Sequence, residues 1–127
     1  METEKILMTC LLGDGLQAVV RDDTAHYFGG YYHVRIEVRA DVPVCPACFD
    51  SEEDHRTART RLGDSVRFSR RLEKMAVLGS EVDSVRCELL ASFEANLLPY
   101  LQRPDFPRRF VQTEYSRSLA APGIRRW

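Results

Sequence analysis

The sequence predicts an α+β domain, in which an N-terminal three-stranded antiparallel meander packs on one face against two or three helices. Residues 5–44 carry short apolar runs and one long alternating segment, whereas residues 51–98 carry apolar residues at helical spacing. Glycine and short polar residues separate these segments. A length of 127 residues fits one domain, because domains commonly span roughly 100–200 residues.

The first two strands are predicted as a hairpin. Residues 6–12 and 16–20 are short apolar runs, and Gly13-Asp14-Gly15 separates them. A glycine-bearing loop of this length between apolar runs is typical of a hairpin. Asp22-Asp23-Thr24 then supplies the next turn, because such side chains hydrogen-bond to their own backbone.

The third strand is predicted over residues 31–42, where polar and apolar side chains alternate with a period of two. Gly29-Gly30, just before it, is interpreted as a turn or a bulge. Apolar residues also occupy both faces of the hairpin. One face carries Leu7, Leu11 and Val19, and the other carries Met8, Cys10 and Val20. An uncovered apolar face is typical of an interface, so we expect a homo-oligomer. Cover by the C-terminal tail is the alternative.

Three helices are predicted after Pro43. The first is capped by Ser51 and ends at Gly63, and the second runs from near Asp64 to Gly79. Apolar residues recur at helical spacing along the second helix, at Phe68, Leu72, Met75 and Ala76. The third opens at Ser80 and Asp83 and is expected to end near Leu98, because Pro99 disfavours the preceding turn.

The tail, residues 104–119, fits two structures. Val111, Thr113 and Tyr115 alternate as in a strand, whereas Phe110, Glu114 and Arg117 suit a helix. We favour a strand, which would add a fourth strand to the sheet.

Charged residues suggest one ligand surface. The chain carries 18 basic residues, of which 16 are arginine, against 19 acidic ones, for a net charge of −1. On the predicted second helix, one flank gathers Arg67, Arg70, Arg71 and Lys74. Such a flank is a candidate site for an anionic partner, although a solvated face is the commoner outcome. Nucleic acid is not expected, because the net charge is slightly negative and no aromatic residues interleave the flank.

Arg86 interrupts the apolar stripe of the third predicted helix. A charge at such a position must reach solvent or a partner, because burying it unpaired is costly. We therefore interpret Arg86 either as half of a structural ion pair or as a ligand-binding guanidinium.

Cys45 and Cys48 form a CxxC pair, and His55 follows seven residues later. Two thiolates at this spacing are half of a typical zinc site, so zinc is a candidate cofactor, with a fourth ligand from His26, His33 or Cys87. Redox chemistry is disfavoured, because no βαβ pattern surrounds the pair and acidic residues follow it. An unliganded turn is the third interpretation.

No nucleophile or phosphate-loop motif is visible, so an enzyme with a site on the sheet face near His33 is only an alternative. The N-terminus lacks the basic and apolar regions of a signal peptide, and no apolar run is long enough to span a bilayer. We therefore predict a small cytoplasmic interaction module without a membrane partner. It would self-associate through its open sheet face.

Overall fold

The computed structural model describes residues 5–13 and 15–120. These residues form an antiparallel sheet of five strands together with three longer helices and one of a single turn, so the predicted α+β class is confirmed. The strands are β1 (Lys5–Gly13), β2 (Leu16–Asp22), β3 (Ala25–Phe28), β4 (Tyr31–Pro43) and β5 (Ser65–Leu78). The helices are α1 (Glu52–Leu62), α2 (Val82–Ser92), the short α3 (Leu98–Leu101) and α4 (Phe106–Ala120). Asp14 of the predicted turn, and the N-terminal residues 1–4 considered as a leader, lie outside the described residues.

The predicted meander is confirmed, and it contains one further short strand. β1 pairs with β2, and residues 19–22 of β2 pair with residues 36–39 of β4. β3, which was not predicted, pairs with the start of β4 across the Gly29-Gly30 turn, where Gly29 has a φ of 55°. The Asp23 amide donates to the Arg35 carbonyl at 2.9 Å, between these two stretches. β2 and β3 therefore lie end to end along one edge of β4, and β5 takes the other edge.

The second predicted helix is wrong. Residues 65–78 form β5, which runs antiparallel to β4. Phe68 and Leu72 are four positions apart, which places them on one side of a strand as readily as on one side of a helix, whereas Val66, two positions before Phe68, shares their side only in a strand. Phe68 is buried and Leu72 half-buried, whereas Met75, which belonged to the predicted helical stripe, is 50% exposed.

A bulge interrupts β5 at Ala76. Ser69 contacts Glu37 and Glu73 contacts His33, so both strands advance by four residues between these contacts. Beyond Glu73, the Gly79 amide donates to the Gly30 carbonyl at 3.0 Å, so the chain advances six residues from Glu73 where the opposing chain retreats only three from His33. Ala76 has a φ of 55°, the left-handed conformation that bulges commonly use. The bulge brings Val77 back into the core.

The tail forms a helix, so the favoured C-terminal strand is also wrong. α4 spans Phe106–Ala120, and the Phe106 and Phe110 rings stack at 5.6 Å between centroids. These residues are one helical turn apart, and Val111 beside them is fully buried. Helical spacing therefore governs this segment rather than the alternation through Thr113. The strands added to the meander are β3 and β5.

The third predicted helix continues beyond Leu98. α2 passes into a π turn over Phe93–Leu97 and then into α3, where Pro99 lies in the first turn. A proline is tolerated there because its missing amide has no partner to lose in a first helical turn. The π turn therefore carries the helical path past the proline, to Leu101.

The described residues divide into two compact units, one formed by residues 5–13, 15–40 and 68–102 and the other by residues 41–67 and 103–120. In the first unit, Val34, Val77 and Val85 form a buried cluster, against which Val82 and Leu89 of α2 pack. The side of the sheet that carries Val34 is the inner face, and α2 covers it. That the whole chain is a single domain stays a prediction.

In the second unit, α1 begins and ends as predicted. The Ser51 hydroxyl accepts a hydrogen bond from the Asp54 amide at 3.1 Å, and Gly63 ends the helix with a φ of 88°. The Phe49 ring meets the Tyr115 ring of α4 edge to face at 5.5 Å. Ala58, Phe106 and Val111 are buried here.

Candidate functional site

The side of the sheet opposite the inner face carries the alternate residues of β4, and it is termed the outer face. Ladder pairing fixes its other members, because Val19 lies opposite Arg39, Arg21 lies opposite Glu37, and Ile6 lies opposite Arg21. In the first unit, the outer face consists of Ile6, Thr9, Leu11, Gln17, Val19, Arg21, Asp23, Phe28, Tyr31, His33, Arg35, Glu37, Arg39, Ser69, Arg71 and Glu73.

The centre of the outer face is a hydrogen-bonded charge network around Glu37. Its carboxylate accepts from Arg21, lies 3.2 Å from the Arg39 guanidinium and accepts from the Ser69 hydroxyl at 3.0 Å. The Glu37 side chain is only 14% exposed. Burial alone would raise the pKa of Glu37, but hydrogen bonds from Arg39, Arg21 and Ser69 bring that pKa below its ordinary value.

Two further groups of charges continue this network towards the β3–β4 turn. Asp23 lies 3.6 Å from the Arg35 guanidinium and 3.5 Å from that of Arg71. The His33 imidazole contacts the Glu73 carboxylate at 2.9 Å. The face therefore combines four guanidinium groups and one imidazole with three carboxylates, and both signs of charge are interspersed.

Exposed apolar side chains lie at both ends of the outer face. Phe28 and Tyr31, which pair across the β3–β4 turn, are 72% and 42% exposed. On β1, Ile6 lies level with Glu37 and is 53% exposed, and Leu11, nearer the other end, is 68% exposed. The predicted exposure of apolar residues on a second sheet face is therefore present for Leu11. Ile6 joins it because the register of β1 shifts between Ile6 and Met8.

The four predicted anion-binding residues are not brought together. They lie on a strand, whose side chains alternate, so Arg67 and Arg71 point to one side of β5 and Arg70 and Lys74 to the other. Arg67 contacts Asp41 at 3.0 Å, and the Arg70 guanidinium lies over the Phe68 ring at 5.5 Å. Arg70 and Arg71 do line a cleft of about 260 Å³ together with Leu72, Ser92, Asn96 and Leu97. Anion binding there stays a prediction.

Arg86 has carboxylate partners. Its guanidinium lies 3.3 Å from Asp22 of β2 and 2.8 Å from Asp83, one turn earlier in α2. This is the arrangement expected of the structural ion pair. The alternative, a guanidinium that binds a ligand, stays a prediction.

Cys45 and Cys48 lie close together in the second unit, with 3.7 Å between their sulfur atoms. Both are free thiols. His55 contacts the Val44 carbonyl through Nε2 at 3.3 Å. Among residues 5–13 and 15–120, no group of three or more histidine, cysteine, aspartate or glutamate side chains is arranged to hold a metal ion. A zinc site that uses Cys45, Cys48 and His55 thus stays a prediction.

The alternative of an enzyme site near His33 gains a carboxylate partner. Glu73 is that partner, and Arg35 and Arg39, on the same face, are engaged with Asp23 and Glu37. The imidazole is 17% exposed. Enzymatic activity stays a prediction.

Comparison with protein-family models, with curated proteins and with solved structures finds no match to this chain. Within the described part of the chain, no helix is both long and apolar enough to cross a membrane.

Sequence reasoning missed two contributors to the outer face. Phe28 belongs to a four-residue strand that follows a polar turn, and so short a segment shows no alternation to detect. Arg21 was not predicted as a site residue, although the spacing of two from Val19 could have placed it on the same face. Both follow from the register of β4 with its neighbours, which the sequence does not display.

Proposed function

We propose that this protein is a small interaction module that self-associates through its outer face as a two-fold symmetric dimer. The observation that carries the proposal is the distribution of exposed apolar residues, with Phe28 and Tyr31 at one end of that face and Ile6 and Leu11 along β1. Exposed apolar residues grouped on one face are typical of interaction sites, and aromatic residues are enriched there.

A second copy fits this face because the face is complementary to itself. In a two-fold interface, a surface element away from the axis meets a different element of the partner and the reverse contact repeats it, whereas an element on the axis meets its own copy. An axis that crosses the strands near Glu37 would set Phe28 and Tyr31 of one copy towards Leu11 of the other. It would bring Ile6 near its own copy, because Ile6 pairs with Arg21, which pairs with Glu37. The charges between these apolar residues carry both signs, so guanidinium groups of one copy could pair with carboxylates of the other.

A purely anionic partner fits the outer face less well. The three carboxylates of the face, Asp23, Glu37 and Glu73, would then face negative charge. Each of them also engages a guanidinium or an imidazole, so a competing anion would have to displace an existing contact. A surface that carries both signs favours a partner that also carries both.

Charge substitutions at the two apolar ends test this proposal. Phe28→Glu and Leu11→Glu each place a carboxylate at a site that is largely exposed in the single chain, so the fold should be retained. Desolvating that carboxylate in an interface is costly, so we expect each variant to shift the protein to monomer in sedimentation equilibrium.

Leu119→Glu is the matched control, because Leu119 is 47% exposed on α4 and is not a residue of the outer face. It should associate as the unmodified protein does, and circular dichroism should show that all three variants are folded. Folded Phe28→Glu and Leu11→Glu variants that keep the unmodified mass would overturn the proposal.

A further inference from the structure

The Cys45-Pro46-Ala47-Cys48 segment has a geometry that permits a disulfide bond. The Cys48 amide donates to the Cys45 carbonyl at 3.0 Å, which closes a turn over Pro46–Cys48. Such a turn brings its first and last Cα atoms within about 7 Å, which overlaps the range of roughly 4.4–6.8 Å found in disulfides. The two sulfur atoms, now 3.7 Å apart, need only a small side-chain rotation to reach bonding distance.

Contacts from α4 hold this turn in place. Arg108 donates to the Ala47 carbonyl at 2.9 Å, and Gln112 donates to the Cys48 carbonyl at 2.8 Å. Arg108 also contacts the Asp50 carboxylate at 2.8 Å. Asp50, the nearest acidic residue after the cysteines, therefore has a cationic partner. This weakens the prediction that the acidic residues after the pair disfavour a thiolate.

The two thiols differ in access. Cys45 is partly exposed, whereas Cys48 is only 3% exposed. Burial raises the pKa of the Cys48 thiol above its ordinary value. An accessible thiol beside a buried one is the arrangement that lets one sulfur meet an external disulfide while the second completes the reaction.

A disulfide also requires fewer side chains than a metal site does. A structural zinc ion takes four ligands, and the described residues do not gather even three candidate groups around these thiols. The exchange reaction needs only the two sulfur atoms and an external disulfide.

We propose that Cys45 and Cys48 form a redox-active dithiol, which reduces low-molecular-weight disulfides and becomes an intramolecular disulfide. The Cys45 thiolate attacks one sulfur of the external disulfide, forming a mixed disulfide and releasing the first thiol. Cys48 then loses its proton and attacks the Cys45 sulfur, so the Cys45–Cys48 bond forms and the second thiol leaves. Two electrons and two protons pass from the protein to the external disulfide.

The test uses the full chain with Cys10→Ser and Cys87→Ser, because Cys87 is an exposed thiol that would react independently. The protein is equilibrated in glutathione buffers of graded potential, alkylated and analysed by mass spectrometry. We expect both thiols to become resistant to alkylation together, at one midpoint potential. The resistant form should be lighter than the reduced, unalkylated chain by two hydrogen atoms. Returning to reduced glutathione should restore both.

Single variants separate the two roles. In the Cys48→Ser variant, Cys45 should accumulate as a mixed disulfide with glutathione. In the Cys45→Ser variant, the buried Cys48 should react with oxidised glutathione roughly ten-fold more slowly than Cys45 does in the Cys48→Ser variant. Two thiols that remain alkylatable in oxidised glutathione would overturn the proposal. So would a stoichiometric zinc ion whose removal is needed before either thiol reacts.

Discussion

The Arg86 guanidinium lies 3.3 Å from the Asp22 carboxylate and links α2 to β2. The Asp22 side chain is only 7% exposed, and the Arg86 side chain is 20% exposed. Burial alone would raise the pKa of Asp22, but hydrogen bonds from Thr24 and the charge of Arg86 hold that pKa below its ordinary value. An arginine within an otherwise apolar helix stripe is therefore explained by a carboxylate on the strand beneath it.

Replacing Arg86 with leucine should lower the free energy of unfolding by about 2 kcal/mol, because Asp22 would be left buried without its cation. Urea denaturation measures this change. Asp83→Ala removes the other carboxylate that Arg86 contacts, at a side chain that is 94% exposed, and should cost less than about 0.5 kcal/mol. An Arg86→Leu variant as stable as the unmodified chain would show that the ion pair is not structural.

Stability should fall in acid because the pKa values of Asp22 and Glu37 are both lowered in the folded chain. The unfolded chain then binds protons more readily than the folded chain. These carboxylates therefore stabilise the fold above the ordinary carboxyl pKa of roughly 4, and the contribution is lost as pH falls through their folded pKa values. Urea denaturation from pH 7 to pH 3 measures the slope.

Glu37→Gln should lower the free energy of unfolding by about 1 kcal/mol at pH 7, because it weakens the bonds to Arg21 and Arg39. It should also reduce the loss of stability between pH 7 and pH 3. Glu88→Gln, at an exposed position on α2, is the control and should leave the slope unchanged. An equal slope in Glu37→Gln and the unmodified chain would contradict the role given to the Glu37 network.

Ala76→Gly should stabilise the protein by about 0.5–1 kcal/mol, because Ala76 occupies a left-handed conformation that costs little only for glycine. Ala91→Gly, at an exposed position inside α2, should instead destabilise it by about 1 kcal/mol. Thermal denaturation of both variants tests the opposite signs. Destabilisation by Ala76→Gly would contradict the bulge in β5.

The parts of the fold predictable from sequence are those with local signals. The alternation from Tyr31 onward identified β4, and Ser51 with Gly63 identified both ends of α1. The prediction for the β5 segment was wrong because Phe68 and Leu72, four positions apart, lie on one side of either a helix or a strand. What selects the strand is pairing with β4, a contact between residues far apart in the chain.

The candidate sites were predictable only in part, for the same reason. Leu11 was identified by its alternation with Cys10, and the cysteine pair by its spacing. The partner of Arg86 was not identifiable, because Asp22 lies 64 positions earlier and was interpreted as a turn residue. The basic flank predicted on a helix does not exist, because its residues lie on a strand. Neighbouring side chains of a strand point to opposite faces, so Arg70 and Arg71 lie on different sides of β5.

The mass of the unmodified chain in solution, measured by light scattering across a range of concentrations, tests self-association most directly. The single chain has a mass of 14.6 kDa. We expect the measured mass to rise to twice that value with increasing concentration. We also expect the transition to shift to higher concentration in high salt, because salt screens the charges of the outer face. A mass that stays at that of one chain at every concentration would contradict the proposed dimer.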